Sequence, residues 1–355
     1  MNLYLQFRAN VKRTQLIQNG DVVLAGVSGG LDSVVLANLF LKLQKDISFQ
    51  LALAHVNYQL RGIESDAQEA LVQGFAKEHA LPFFATRVAL DLKRAENFQQ
   101  ASREFRYHYF SEVALQIGAG KVAVAHHRND QVETIFAQLL RGASLRGLGG
   151  MRARREIHCV SREAYLVSRI SSLNNASRTT LHASRDTIHL IRPLLNFSKA
   201  ELKEYAERHS LHYAEDTSNA SPKYWRNRLR QELLPVVENL RPKAFEKVVG
   251  LGEELRELAD YLSGEAQVWL ETYAKKEKKS FWLPRPRWVG LPKVLRFEIL
   301  RQVVFSLTGA CKNLKRDHLV RCSQVGLGQK SQGIYSLPGG LKFVRKGDDL
   351  FFRLC

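Results

Sequence analysis

Cysteine is scarce and unpatterned. Cys159, Cys311, Cys322 and Cys355 form no CxxC pair and no evenly spaced framework. That excludes a disulfide scaffold and leads us to expect reduced thiols in a cytoplasmic protein. Long apolar runs are missing too. No stretch approaches the roughly 20 residues of a membrane span, and MNLYLQFRANVKR at the start lacks the apolar core of a secretory signal. No membrane partner is expected. Acidic residues are outnumbered, 35 against 53 Lys and Arg, which leaves a net charge of +18. The basic residues are spread along the chain rather than gathered in a tail. Such an excess suits a polyanionic partner, because each cation that neutralises a phosphate releases condensed counterions. The plainer alternative is an enzyme of generally basic composition. Two common phosphate signatures are absent as well. No lysine follows the glycines of residues 26–33 as in a Walker A loop, and their spacing is not GxGxxG.

With 355 residues, 45% of them hydrophobic, the chain can bury two cores. Its first two hundred residues alternate strand and helix patterns. Short β-branched or apolar runs at 22–27, 51–57, 82–90, 121–127 and 188–195 read as strands. Helical spacing holds over 32–43, 64–79, 99–117, 130–140 and, capped by Ser198, on to 209. This order predicts an α/β fold, a Rossmann-like parallel sheet with helices on both faces. Ligands of such sheets bind beyond the carboxyl ends of the strands. Residues 141–155 read as irregular and arginine-rich, and 156–187 as a Ser-rich insertion. Beyond about 221 the pattern turns helical, over 225–240, 245–270 and 293–306. KKEKK (275–279) reads as a charged break, and FWLPRPRW (281–288) as irregular. GIYSLPGGLKFVRKGDDLFFRL closes the chain with apolar runs between turns, a small β element. The expected domains are 1–220, catalytic, and 221–355, helical with the C-terminal β element.

The stretch GVSGGLDS (26–33) joins the first strand to the first of these helices. A strand, a glycine turn and a helix N-terminus make an anion site. Gly29 and Gly30 let backbone N–H groups turn toward a phosphate, and Ser28 and Ser33 add hydroxyls. Asp32 would repel that phosphate unless a divalent cation lay between them, which points to Mg²⁺ and a nucleotide. The alternative is a glycine turn with a helix-capping aspartate.

SGGLDS after a first strand resembles the loop of the N-type ATP pyrophosphatases, the PP-loop enzymes. Further stretches are similar to one branch of that superfamily, the tRNA(Ile)-lysidine synthetases. These are HVNYQLR (55–61), REFRYHYF (103–110), AHHRNDQVETIFAQLLRG (125–142), RPLL (192–195) and EDTSNASPKYWRNRLRQELLP (215–235). Order and spacing agree over about 20–235, the Ser-rich insertion apart. The C-terminal third is similar only in its helices and LPGG turn; its shortness suggests one C-terminal domain where some members have two, and 221–355 is expected to bind tRNA. Tyr58 departs from the family, which usually has His there; we read it as packing or as a base contact.

The resemblance implies a two-step reaction on a tRNA whose anticodon begins with cytidine. The cytosine O2 attacks the α-phosphorus of ATP and expels pyrophosphate. Free L-lysine then attacks C2 through its ε-amine, AMP leaves, and the product is lysidine in tRNA(Ile) with the anticodon CAU. Residues follow from the motif match. Ser28, Gly29, Gly30, Leu31, Asp32, Ser33, His55 and Asn57 are expected around ATP, with Asp32 on Mg²⁺. Asp130 and Glu133, three apart at a helix start, share a face and suit an ammonium group and its proton; a helix cap plus a surface glutamate is the alternative. Arg103 and Arg106 read equally well as donors to the transferred AMP or as a solvated basic face. His126 and His127 point oppositely if they lie on a strand, so one of them at most faces ligand. Arg61, His127, Arg226, Asn227 and Arg230 are expected at the tRNA, together with Lys223 and Arg228, since basic residues interleaved with aromatics suit an unstacked loop. Trp225 is expected in the core. Arg146, Arg152, Arg154 and Arg155 are expected to close over bound substrate. A homodimer is also expected as a partner. The rival readings are a PP-loop tRNA thiolase, which would need catalytic or cluster-binding cysteines, a non-catalytic RNA-binding protein with a relic nucleotide site, and a small-molecule ligase.

Overall fold

Alternation along the first strands decides the layering. β1 (Val22–Gly26) sends Val23 and Ala25 to one side of the sheet and Leu24 to the other. The period of two is the pleat itself. The computed structural model describes residues 2–60, 62–88, 98–158, 187–214, 225–311, 313–328 and 332–354.

In chain order the first elements are α1 (Leu3–Thr14), β1, α2 (Leu31–Leu43), β2 (Gln50–Asn57), α3 (Ile63–Glu78), β3 (Phe83–Arg87), α4 (Phe98–Gln116) and β4 (Lys121–Ala123). Then come α5 (Arg128–Leu140), α6 (Leu145–Leu148), β5 (Arg154–His158), β6 (Thr187–Ile191), α7 (Lys199–Arg208), α8 (Trp225–Arg228), a π turn (Leu229–Leu233) and α9 (Leu234–Leu240). Six strands form one sheet in the order β3-β2-β1-β4-β6-β5. Every pairing is parallel except β5 with β6. The edge strand is thus a correction to an all-parallel reading. Helices α1, α2, α3 and α7 pack on the Val23 face through Phe7, Phe40, Val72 and Leu202. Helix α4 covers the Leu24 face with Phe110, Val113 and Ala114. The capping box at Ser198 and Glu201 starts α7 where the sequence placed it.

Other details differ from the sequence reading. Helix α1 has no counterpart there, yet Phe7 and Val11 belong to the core. The fifth expected strand stops at Ile191 because Pro193 cannot continue a ladder. Trp225 is 41% exposed rather than in the core. The ends of the Ser-rich stretch form β5 and β6, while 159–186 lie outside the described residues.

The chain divides into two compact units, Met1–Ala137 with Met151–Val249, and Gln138–Gly150 with Gly250–Cys355. A boundary at 220 therefore falls inside the first unit. The reason is a buried cluster in which Leu229, Leu234, Phe245 and Val249 join Val132 and Ala137 of α5. The second unit holds most of α10 (Ala244–Tyr273), then β7 (Lys275–Lys276), β8 (Ser280–Pro284), α11 (Arg285–Val289), α12 (Lys293–Thr308), α13 (Arg316–Leu327), β9 (Gln332–Leu337), β10 (Leu341–Lys346) and β11 (Asp349–Leu354). Its five strands are antiparallel, in the order β7-β8-β11-β10-β9. The PGG and KGDD turns fall between β9, β10 and β11, as their composition requires. KKEKK is not wholly a break, since Lys275 and Lys276 form β7, and FWLPRPRW is regular rather than irregular, since it supplies most of β8 and α11, with Trp288 fully buried.

Gly26 ends β1 against α4. A Cβ there would lie 2.5 Å from the Phe110 ring, and Phe110 is itself buried. Gly26→Ala should therefore destabilise the first unit by about 1–3 kcal/mol through overpacking. A lower midpoint in a denaturant titration followed by far-ultraviolet circular dichroism checks this.

Candidate active site

β1 ends at Gly26 and α2 begins at Leu31, so the turn between them must reverse direction quickly. Gly29 does this at φ +87°, a conformation that L side chains rarely adopt. A Cβ on Gly29 would also approach the Gln68 carbonyl oxygen to 3.2 Å. The hydroxyls brace the loop from within. Ser33 Oγ accepts from the Ser28 N–H at 3.1 Å and donates to the Gly30 carbonyl at 2.9 Å. Gly30 is the N-cap of α2 and offers no side chain to the helix's first N–H groups. Those donors and the helix dipole face an incoming anion. Leu31 packs its side chain on the core, so its backbone is what it presents to the loop. A later segment closes the loop from behind: the Ala214 N–H donates to the Gly29 carbonyl at 2.9 Å.

The sheet order reverses between β1 and β4, which opens the crevice where doubly wound sheets take ligands. β4 stops at Ala123 and α5 starts at Arg128, so both histidines lie on the connection rather than on a strand. Strand alternation therefore does not govern their directions, and each meets a different set of charges. His127 Nε2 lies 3.5 Å from Asp32 Oδ2 and 3.6 Å from Asp130 Oδ2. Burial would discharge this ring, but the hydrogen bond to Asp32 and the fields of Asp130 and Asp32 outweigh it and raise its pKa. His126 goes the other way. Burial pushes it down to about 4, and Arg192, Arg103 and Arg106 add to that against the pull of Asp130.

Asp130 opens α5. Its Oδ2 accepts the His127 N–H at 3.1 Å, which fixes the start of the helix. Glu133, one turn on, is 12% exposed at its side chain. The two carboxylates hold a cation, the guanidinium of Arg230. Its Nη2 lies 2.6 Å from Glu133 Oε2 and 3.5 Å from Asp130 Oδ1, and its Nε donates to the same Glu133 oxygen at 3.0 Å. Arg230 comes from the π turn, a local widening frequent at functional sites. The sequence brings it to tRNA; the structure brings it to the acidic pair.

The remaining candidates separate. His55 is buried and donates from Nδ1 to the Val27 carbonyl at 2.8 Å, behind the loop. Asn57 is 1% exposed and donates to Asp66 and Glu69 of α3, so it ties β2 to that helix. Arg106 donates from Nε to the Tyr58 hydroxyl at 2.9 Å, and Tyr58 in turn donates to the Ser102 carbonyl at 3.1 Å. The phenol therefore aims a guanidinium. Arg103 lies over the Tyr107 ring at 5.5 Å. Arg226 and Asn227 are half-buried on α8, and Arg228 pairs with Glu232. Arg146 is bound to Glu298 within the second unit at 3.2 Å, and Arg154 and Arg155 lie on β5. Arg61, Lys223 and Tyr224 lie outside the described residues. Sequence reasoning passed over Arg192, the first residue of RPLL, which is 3% exposed at the end of β6. A signal was available: an arginine directly after an apolar strand, at the edge where ligands bind.

One atom tests the site for a metal. Asp32 Oδ1 is buried and has no hydrogen-bond partner among the described residues. An orphaned carboxylate oxygen at a helix N-terminus that favours anions fits a cation shared with phosphate.

Comparison with known proteins agrees with this geometry. The family model of the PP-loop domain matches residues 3–237. The tRNA(Ile)-lysidine synthase of Clostridioides difficile is 27% identical over 348 residues, covering 96% of this chain and 68% of that protein. The tRNA(Ile)-lysidine synthase of Geobacillus kaustophilus is 29% identical over 352 residues, covering 97% and 69%. The chain thus spans about two thirds of the length of these relatives. Among solved structures, the U34-tRNA thiolase NcsA of Methanococcus maripaludis aligns with a TM-score of 0.52 at 17% identity, over 72% of this chain and 79% of that one. At that identity the likeness is one of fold. The matched stretch contains the glycine turn, the two aspartates, Glu133 and the arginine that reaches it, and the chain belongs to the PP-loop domain family.

Proposed function

We propose that this protein joins free L-lysine to C2 of the first anticodon cytidine of tRNA(Ile) with the anticodon CAU. The reaction uses ATP, passes through an adenylated cytidine, and releases pyrophosphate and AMP. One observation carries the reading: an acidic pair that already holds a cation stands beside an ATP-type anion loop, with His127 bridging Asp32 and Asp130.

The steps distribute over the residues as follows. The backbone N–H groups of Gly29, Gly30 and Leu31 and the hydroxyls of Ser28 and Ser33 take the phosphates. Asp32 would hold Mg²⁺, which when bound supplies neutralisation of phosphate charge. Cytosine O2 attacks the α-phosphorus, and pyrophosphate leaves. Arg103 and Arg106 place positive charge where AMP is transferred, Arg106 being aimed by Tyr58. Lysine enters with an ε-ammonium whose ordinary pKa is about 10.4. Asp130 and Glu133 bind it and take a proton, which frees the amine lone pair. The amine adds to C2, the C–O bond to AMP breaks, and lysidine forms. Arg61, Arg226, Asn227 and Arg230 contribute to the anticodon loop, and His127 lies between the two substrates' sites. ATP, tRNA and free lysine meet in the cytoplasm, where we place the protein, and a homodimer is its expected assembly.

The thiolase reading asks for reactive sulfur. Cys322 is fully buried and its thiol is pushed up to about 12 by burial; Cys311 is also raised, first by burial. Both belong to the second unit, and Cys159 and Cys355 lie outside the described residues. The cysteines that are described therefore lend the thiolase no support.

The direct test is to incubate protein, ATP, tRNA and isotopically labelled lysine, digest the tRNA and weigh its nucleosides. The expected product is the first anticodon nucleoside carrying one labelled lysine, with one pyrophosphate released per lysine. Unmodified cytidine, or a sulfur-containing nucleoside, would exclude the proposal.

A further inference from the structure

Arg192 is 3% exposed. It follows the last residue of β6 at the carboxyl edge of the sheet. Its backbone N–H donates to the Ala153 carbonyl, and its Nη1 donates to the Arg152 carbonyl at 2.7 Å, so the guanidinium is held still. Its Nε is buried with no partner among the described residues. Tyr107 hydrogen-bonds to it, and the charged groups that bear on it are Arg103 and Arg155, both cations. No carboxylate among the described residues pairs with it. Burial lowers its pKa accordingly.

A buried guanidinium with no counter-ion among the described residues is costly, because the bonds to Arg152 and Tyr107 replace only part of its lost hydration. Chains retain such a group where an anion arrives from outside. His126 stands next to it. Residue 124 donates to the carbonyl of residue 191, which puts the two strand ends side by side. His126 Nδ1 is also buried without a partner among the described residues. The imidazole lies in the field of Asp130 on one hand and of Arg192, Arg103 and Arg106 on the other. The same ring thus feels a carboxylate of the acidic pair and the basic cluster.

A ligand with an ammonium at one end and a carboxylate at the other matches that polarity. The phosphates already have the glycine turn. Lysine's own carboxylate has no place beside Asp130 and Glu133, which would repel it.

We propose that Arg192, beside His126 and Arg103, forms the subsite for the α-carboxylate of the lysine substrate. This rests on the proposed function and adds to it how a free amino acid is told from a simple amine. Arg192 then fixes the end of lysine away from the reaction, which is what positions the ε-amine. The rival occupant of the same cluster is a phosphate of ATP or tRNA.

The experiment compares lysine with lysinamide, which keeps both amines but has no carboxylate, as substrates with ATP and the tRNA. The full-length wild-type protein should prefer lysine by about tenfold or more in kcat/KM, as a site built for a charged partner rejects its neutral analogue. Arg192→Gln should bring the two substrates to within about twofold, mainly by raising the KM for lysine. Arg192→Lys, which keeps the charge but not the planar donors, should fall between. The preference is a ratio, so a partly misfolded variant does not change it. Equal use of lysine and lysinamide by the wild type overturns the subsite while lysine ligation stands. So does a variant that keeps the preference and instead needs more ATP or tRNA, which assigns the cluster to phosphate. A wild type that attaches neither amine overturns the ligase reading and the subsite together.

Discussion

Asp32→Ala should lower tRNA-dependent pyrophosphate release by on the order of 10²–10³-fold, the scale for losing one preorganised electrostatic contact at a reacting phosphate. Asp32 sits in the first turn of α2, where the unsatisfied N–H groups favour a negative ligand. Its own charge opposes a second anion unless a cation is shared. Oδ1 is buried without a partner among the described residues, and Oδ2 is engaged by His127. The carboxylate therefore has one arm in the protein's own network and one arm open. Asp32→Asn separates the two functions, since it keeps the size and a hydrogen-bond acceptor for His127 but removes the charge. Both variants should show a steeper magnesium requirement for whatever release remains. Pyrophosphate released at the wild-type rate by either one would remove the metal argument.

How much of this could be seen beforehand depends on how far apart the cooperating residues lie in the chain. The glycine turn, the strand before it and the helix after it are contiguous, and their periodicities change from two to the helical one within a few residues. Asp130 and Glu133 share a helix face by spacing alone. Those parts were legible. What held each partner was not. Arg230 reaches Glu133 across 97 residues, and no local pattern encodes that. Asn57 reads as a ligand-facing polar residue at a strand end, but it is buried against α3 because Asp66 and Glu69 converge on it. Trp225 reads as core, yet Leu229 and Leu234 of the following turns take that place. The domain limit moved for the same reason, since an apolar cluster joins α5 to helices a hundred residues later. Edge strand β5 was hidden because RREIH carries three successive charged residues and a single apolar one, Ile157, so it shows no apolar period of two.

Glu133→Gln should raise the lysine requirement by about 10–150-fold, the worth of a charge-assisted hydrogen bond of about 1.5–3 kcal/mol. The ATP requirement should move far less. Glu133 is the cleaner of the two carboxylates to test. Asp130 also accepts the His127 N–H and faces the His127 ring, so Asp130→Asn should disturb the start of α5 and raise the needs for lysine and ATP together. Glu133 touches neither the glycine turn nor a histidine; its bonds go to Arg230. In the protein without substrate that guanidinium occupies the acidic pair, so an arriving ammonium must share the carboxylates or displace Arg230. Glu133→Gln weakens both cations' hold, which makes the lysine effect a difference rather than the full strength of one contact. A double-mutant cycle with Arg230→Gln measures that difference. If Arg230 competes with lysine, the pair will be less impaired in lysine use than Glu133→Gln and Arg230→Gln would suggest by addition. A Glu133→Gln protein that saturates with lysine at the wild-type concentration, yet needs more ATP, would place these carboxylates on the nucleotide instead.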